Sequence, residues 1–256
     1  MHAYYKVTYT IIKPFIFSVY FFFHFYPVFA QQPVWQDASL NTAEKAVYMK
    51  AEEKEMICEI NRLRSNPARY AKLFIAPLIK DARETFETDG KGYRNYSITT
   101  SFYNDTQKHD TTYFYANEEE LKAVESLYDT LLKLKPLSVL LPDEGIYNAC
   151  IKHGKDQAPT GNISHQGTDG SWPWDRIKKF SSSMQDGNEN IAMDAVFVIN
   201  VRNIVLLLLI DSGIGGYGHR YNLLDKNWTH VACYVIPKEL ISGNWWIQDF
   251  GIKGKK

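Results

Sequence analysis

Two histidines in polar, glycine-containing segments are the side chains of this sequence best suited to chemistry. His165 lies in Ser164-His165-Gln166-Gly167, and His219 lies in Gly218-His219-Arg220-Tyr221-Asn222-Leu223-Leu224. Between them along the chain, Glu189 stands in Gly187-Asn188-Glu189-Asn190-Ile191-Ala192. Neutral imidazoles bind zinc well, and a nearby carboxylate can orient an imidazole or a bound water molecule. These residue types therefore allow a divalent-metal site or acid–base chemistry.

Each of these segments is a weak signal when it is taken alone. A single histidine in a loop is more often a hydrogen-bonding residue than a metal ligand. The sequence contains neither the His-Glu-x-x-His motif of metalloproteases nor the Gly-x-Ser-x-Gly motif of serine hydrolases. Ser164 adjoins His165, but sequence neighbours rarely face each other as a catalytic pair, so a metal-bound water is the better nucleophile for any hydrolytic reaction.

The three cysteines give no sign of catalysis. Cys58, Cys150 and Cys233 lie in apolar or amphipathic stretches, and no basic or helix-start environment surrounds any of them. An odd number cannot all pair within one chain. We expect buried free thiols, with one Cys58–Cys150 or Cys150–Cys233 disulfide as the alternative.

The elements that position these residues follow from apolar periodicity and capping residues. Asn41 with Glu44 predicts a helix start, and Asn66-Pro67 predicts the end of that helix and the start of a second, so that a helical pair covers about residues 43 to 80. Residues 81–116 are rich in Thr, Tyr, Asp and Gly and predict a peripheral hairpin or ordered loop.

The second half of the chain predicts further helices and two closing strands. A helix from Asn117 ends before Pro136, and another follows the capping residue Asp143. The apolar run 196–210 predicts a buried helix, with a strand at 204–210 as the alternative that periodicity leaves open. Residues 230–236 and 245–250 have the composition of strands. The fold class is therefore α+β, with helices packed on a small, mainly antiparallel sheet.

Residues 1–30 have the pattern of a signal peptide. Lys6 and Lys13 precede and flank an apolar block that ends in Val28-Phe29-Ala30, which suits cleavage after Ala30. The alternative is an uncleaved N-terminal anchor, although the block is short for a membrane span. We therefore expect an exported protein, secreted, periplasmic or on the cell surface, that meets the membrane only through this segment if it is uncleaved.

Charge argues against nucleic acid as a partner. Residues 31–256 carry 27 Lys and Arg against 29 Asp and Glu, and the basic tail at 253–256 is too small to change that balance. General nucleic-acid binding needs an excess of positive charge that this chain lacks.

The order of the chemical segments resembles the CAP superfamily, whose SCP-type domains occur in cysteine-rich secretory proteins, antigen 5 proteins, pathogenesis-related proteins and bacterial exported proteins. The resemblance covers a domain at about residues 52–252, preceded by an extension at 31–51, with 81–116 as a family-variable insertion. Its segments are Glu59-Ile60-Asn61-Arg62-Leu63-Arg64, Leu141-Pro142-Asp143, the segments around His165, Glu189 and His219, and Trp246-Ile247-Gln248-Asp249-Phe250-Gly251. Leu209-Ile210-Asp211-Ser212-Gly213, just before Gly218, is most similar to the bacterial branch.

The resemblance implies an α-β-α sandwich with a large cleft in which two histidines and two acids face one another. On this sequence the histidines are His165 and His219, the first acid is Glu189, and the second is Asp211, where many relatives have a glutamate on the preceding helix. The shorter Asp211 side chain would draw back from the cleft, and Gly187 stands one residue further from Glu189 than in the usual pattern. Zinc is the expected cofactor, and a hydrogen-bonded network that holds the loops over the sheet is the alternative.

Three functions remain open at this point. The first is a protein without established catalysis that binds a divalent metal, and also a lipid or another small apolar ligand. The second is a peptidase-like hydrolase that uses Glu189, His165 or His219 as acid–base groups. The third is an extracellular protein-interaction module in which residues 81–116 supply specificity.

Overall fold

The computed structural model describes residues 35, 37–90, 93–103, 106–161, 164–194, 200–237, 239–241 and 243–254. The signal peptide predicted at residues 1–30 lies outside this part of the chain. The helices are α1 (Ala51–Ser65), α2 (Pro67–Tyr70), α3 (Ala76–Asp89), α4 (Asn117–Lys133), α5 (Glu144–Gln157), α6 (Pro173–Phe180), α7 (Val201–Ile210) and α8 (Gly218–Leu224). The strands are β1 (Tyr93–Tyr103), β2 (Thr106–Ala116), β3 (Leu141–Pro142), β4 (Met184–Asp194), β5 (His230–Val235) and β6 (Asn244–Lys253).

Four strands form a mixed open sheet in the order β3-β5-β6-β4. The β3–β5 pair is parallel, and the β5–β6 and β6–β4 pairs are antiparallel. Helices α5 and α6 pack on one face, and α1, α7 and α8 contact the sheet from the other. This layered arrangement confirms the predicted α+β sandwich, and it leaves β4 at an edge of the sheet.

The first helix begins later than the sequence predicts. Residues 42–45 and 47–48 form turns, α1 begins at Ala51, and the Oδ1 atom of Asn41 has no hydrogen-bond partner among the described residues. The buried Glu53 carboxylate accepts hydrogen bonds from the Lys50 backbone N–H at 2.8 Å and from the Val235 backbone N–H at 3.1 Å. The local contact to Lys50 caps the helix, and the contact to β5 holds the same carboxylate in place, so the cap predicted at Asn41 and Glu44 is wrong.

Local signals predict several other boundaries correctly. Asn66 accepts from the backbone N–H of Arg69 at 3.0 Å, with Pro67 at the first helical position. Asp143 accepts from the backbone N–H of Ile146 at 2.9 Å and caps α5. The predicted insertion differs at its start, because α3 continues to Asp89 after a π-helical turn at Ala71–Ile75; β1 and β2 then form an antiparallel hairpin.

The apolar run near residue 200 is a helix, as predicted. Helix α7 begins at Val201, where Asn200 accepts from the Asn203 backbone N–H at 3.4 Å, and ends at Ile210. Most of its side chains are buried in the core. None of the described helices is long and apolar enough to cross a membrane.

Candidate functional site

His165 and His219 reach the same place from opposite faces of the sheet. Alternate side chains of a strand point to opposite faces, and β4 shows this in its partners. Glu189 bonds Arg176 of α6 on one face, whereas Asn190 donates from Nδ2 to the backbone oxygen of His219 at 3.2 Å on the other. The two imidazole centroids lie 6.5 Å apart. The candidate site therefore lies along the edge strand β4.

A buried ion pair holds the His165 side. His165 Nδ1 lies 2.9 Å from Glu189 Oε1, and Arg176 Nη2 donates to Glu189 Oε2 at 2.9 Å. Arg176 Nη1 also donates to the backbone oxygens of His165 at 3.1 Å and Ser171 at 2.9 Å. Because Arg176 and Glu189 are each 2% exposed, this pair ties the His165 loop to both α6 and β4.

The His219 side is held by the end of α7. Asp211, in the left-handed region at φ 55°, is the C-cap of that helix. Its Oδ1 lies 2.7 Å from His219 Nδ1, and its Oδ2 accepts the His219 backbone N–H at 3.0 Å. The short aspartate side chain reaches the ring because His219 lies in the first turn of α8, next to the end of α7. Asp211 does not draw back from His219 in the way that the shorter side chain suggested.

Both rings offer the same nitrogen to a ligand. An ionised carboxylate only accepts hydrogen bonds, so the proton of each neutral ring lies on Nδ1 and the lone pair on Nε2. Carboxylate–histidine pairs of this kind orient the imidazoles of metal sites. His165 has 45% of its side chain exposed and His219 has 20%. Nε2 of each ring is therefore the nitrogen that its carboxylate partner leaves free.

A zinc ion shared by the two rings would require them to move closer together. Two imidazoles that share one tetrahedral zinc ion have centroids about 5.3 Å apart, as worked from Zn–N distances of about 2.1 Å, so rings at 6.5 Å need to approach by about 1 Å. Among the described residues, no group of three or more His, Cys, Asp or Glu side chains is arranged to hold a metal. Two nitrogens with open positions favour an exchangeable ion over a closed structural one.

Burial shifts the pKa values of the acid and the imidazoles on the His165 side of the site. Burial raises the pKa of Glu189 to about 7, an effect that the Arg176 guanidinium opposes. Burial, followed by the positive charge of Arg176, lowers the pKa of His165. The same two causes lower the pKa of His153, on α5 below the site, to about 4. The imidazoles on this side of β4 are therefore neutral and able to act as ligands at neutral pH.

Sequence patterns miss three residues that surround Glu189. Arg176 has the pattern of a packed helix-start residue, yet it is the cation of the site. His153 is fully buried, with Nε2 2.7 Å from the backbone oxygen of Ser164. Asp249, fully buried on β6, pairs in register with Glu189. Arg176 and His153 reach the site through tertiary packing, and the one available signal is Asp249 inside an otherwise apolar closing strand.

Ser164 is not placed as a partner of the imidazoles. Its hydroxyl donates to the backbone oxygen of Gln166 at 2.8 Å and lies 3.3 Å from Gln157 Oε1. The tryptophans Trp172 and Trp174, at the start of α6, stack with centroids 5.5 Å apart and are each about two-fifths exposed. They form a half-exposed aromatic pair next to the helix that carries Arg176.

A separate cavity of about 630 Å³ lies between the end of α4, helix α8 and the loop that follows α8. Neither His165 nor His219 lines it. Its apolar wall is formed by Leu134, Leu137, Leu224 and Trp228, and its polar rim includes Asn188, Tyr221, Asn222 and Lys226. The volume is within the usual range of small-molecule pockets, about 300–1,000 Å³.

Comparisons with known proteins give remote similarities. No protein-family profile matches the chain. An uncharacterized protein of Bacillus subtilis (strain 168), YkwD, is 27% identical over 117 residues, which are 46% of this chain and 40% of that protein. The chain thus matches about two-fifths of the length of this curated relative.

Two solved structures are similar. An outer surface protein from Borrelia burgdorferi has a TM-score of 0.39 and 19% identity, over 54% of this chain and 95% of that one. An extracellular protein containing an SCP domain from Bacillus anthracis has a TM-score of 0.37 and 14% identity, over 67% and 71% of the two chains. Both structures are remote neighbours, and the resemblance to the CAP superfamily rests on the ordered sequence motifs.

Proposed function

We propose that this chain is an exported protein that binds a divalent cation, zinc above others, between His165 and His219. The signal-peptide pattern of residues 1–30 supports export. The observation that carries the metal proposal is the pair of carboxylate–histidine contacts, Glu189 to His165 at 2.9 Å and Asp211 to His219 at 2.7 Å. Each contact occupies Nδ1 and keeps Nε2 for an ion shared by the two rings.

The protein residues have separate tasks in this proposal. His165 and His219 hold the cation, and their carboxylate partners fix the tautomer and orientation of each ring. Arg176 keeps Glu189 in place from the side opposite His165. A bound zinc ion supplies Lewis acidity toward oxygen ligands in its open positions. The two open positions suit reversible capture of an oxygen-bearing ligand.

Zinc titration calorimetry on the mature chain tests the proposal. The wild-type protein and a His109→Ala control, which removes an imidazole from the β1–β2 hairpin, should bind one zinc ion with the same affinity. The His165→Ala/His219→Ala double variant should lose at least about tenfold in affinity, since it removes both nitrogen ligands. Equal binding by the double variant and the wild type would refute the metal site.

The 630 Å³ cavity favours a second candidate function, the binding of a single-chain lipid or similar apolar ligand. Its leucine and tryptophan wall suits an alkyl chain, and Asn222 and Lys226 on the rim suit a polar head group. A fluorescent fatty acid should bind the wild-type protein and bind Leu137→Trp, which fills the cavity, less tightly. Leu207→Trp, at an exposed position outside the lining, is the matched control. Unchanged fatty-acid affinity in Leu137→Trp would exclude this cavity.

A further inference from the structure

Asp249 is a buried carboxyl group whose neighbouring donor is the weakly donating thiol of Cys150. It is 0% exposed, and no charged side chain among the described residues donates a hydrogen bond to either of its oxygens. It lies on β6 directly opposite Glu189 of β4, so the two side chains share the face that α5 and α6 cover. An ionised carboxylate in this place would be one of the most costly groups in the fold.

The charges around Asp249 do not balance if both acids are ionised. Arg176 is the one described guanidinium that bonds Glu189, and its Nη1 atom is directed to the backbone oxygens of His165 and Ser171. His153 uses Nε2 as a donor to the Ser164 backbone oxygen and stays neutral, because burial and Arg176 lower its pKa. One cation therefore faces two carboxyl groups, and one of the two must keep a proton.

The hydrogen bonds decide which acid keeps the proton. Glu189 already accepts from His165 Nδ1 and from Arg176, and both contacts favour its ionised form. Asp249 has no charged donor among the described residues, and the buried thiol of Cys150 beside it is only a weak donor. Burial and the charge of Glu189 raise the pKa of Asp249 well above its ordinary value. The proton belongs on Asp249.

We propose that Asp249 is a neutral carboxylic acid in the folded protein and donates its O–H to the Glu189 carboxylate. In this role Asp249 is a positioning residue. It supplies Glu189 with a third hydrogen-bond donor, from strand β6, and so fixes the carboxylate that orients His165. No covalent bond is formed or broken, and the proton stays on Asp249. The inference on protonation stands apart from the proposed function, and only its metal-affinity readout rests on that function.

Infrared spectroscopy of the folded protein tests the protonation state. The wild-type protein at neutral pH should show the carbonyl-stretch band of a protonated carboxylic acid, and labelling aspartate alone with carbon-13 should shift that band. The label is needed because Glu53 is a second buried acid whose pKa is raised by burial. Asp249→Asn should remove the labelled band. A wild-type protein without a shifted band, or a band that survives in Asp249→Asn, would overturn the inference.

Two substitutions of similar size test the positioning role. Asp249→Asn keeps a neutral side chain with a hydrogen-bond donor and should bind zinc as the wild type does. Asp249→Leu lacks the donor and should lose about tenfold in zinc affinity, in line with the loss of other partners that orient a ligand. If Asp249 were ionised in the wild type, the neutral Asp249→Asn variant would already be defective, and that result would refute the proposal.

The readouts separate the two proposals. If neither the wild type nor Asp249→Asn binds zinc, the proposed metal site fails while the infrared band still decides the state of Asp249. If zinc binds and Asp249→Leu keeps full affinity, the positioning role is refuted. If Asp249→Leu does not fold, the wild type and Asp249→Asn still give both measurements.

Discussion

Replacement of Gly187 by alanine should destabilise the protein by crowding Ile177 of α6 and the backbone of β6. A Cβ atom at Gly187 would overlap Ile177 Cδ1 and lie 2.8 Å from the backbone oxygen of Phe250. Ordinary carbon contacts are about 3.5–4.0 Å, so the Ile177 side chain, its helix or the neighbouring strand must move by about 1 Å. Overpacking of this kind costs about 1–3 kcal/mol. Movement of the helix would also lengthen the 2.9 Å contact between Arg176 and Glu189.

Urea unfolding measures this loss directly. With a slope of about 2 kcal/mol per molar, a loss of about 2 kcal/mol lowers the midpoint by about 1 M. Gly215→Ala is the matched control, because its added Cβ atom meets nothing within 4 Å and Gly215 has an ordinary φ. Ile177→Val removes the Cδ1 atom that blocks the new methyl group, so Gly187→Ala/Ile177→Val should lose less than the sum of its two parts.

Two outcomes would refute this reasoning. One is a Gly187→Ala protein with the wild-type midpoint, since the structure leaves no room for a methyl group without movement. The other is strict additivity of Gly187→Ala and Ile177→Val. Additivity would mean that Ile177 is not the side chain that meets the new Cβ atom.

Three further predictions concern the groups around the candidate site. Arg176→Met should lower the free energy of unfolding by about 3–5 kcal/mol, because it leaves the Glu189 carboxylate buried without its cation. Urea unfolding measures this loss, and Arg176→Met should cost less when it is made in the Glu189→Gln variant. Asp211→Ala should cost about 1–3 kcal/mol in the same assay by removing an acceptor of the His219 ring and backbone N–H; a wild-type midpoint would contradict this. Asp249→Asn should gain stability relative to the wild type as the pH rises from 4 to 8. In the folded wild type Asp249 keeps a proton that the unfolded chain releases above the ordinary pKa of 3.8. The stability that this group contributes is therefore complete below pH 3.8 and is lost as the pH rises toward the raised pKa of the folded state. An equal difference between the urea midpoints of the two proteins at pH 4 and pH 8 would contradict this prediction.

The sequence predicts the elements whose signals are local. Asp143 caps α5 through its own side chain, and the strands at 230–236 and 245–250 have the composition of buried strands. Strand β4 is not predicted, because Gln185 to Asn190 is a polar run without apolar alternation. It is a strand because β6 pairs with it along almost its whole length and α6 covers one face. Its partners are distant in sequence, and local propensity does not include them.

The sequence likewise predicts only part of the candidate site. The histidine and acid positions are marked by their motifs, whereas their supports are tertiary. Arg176 bonds Glu189 across a helix–strand contact, and Asp249 meets Glu189 through strand register. The start of α1 has a related contact, since the buried Glu53 links it to β5. Contacts of this kind depend on the assembled fold and leave no short pattern in the chain.

The three buried free thiols can report local unfolding of the protein. Cys58, Cys150 and Cys233 are all buried, and burial raises the pKa of each thiol, that of Cys58 to about 11. A thiol-specific alkylating reagent therefore has little to attack while the chain is folded. Cys58 lies on α1, Cys150 on α5 and Cys233 on β5, so each of the three layers carries one reporter. Mass spectrometry after brief alkylation would rank the layers by how often each one opens, without any introduced label.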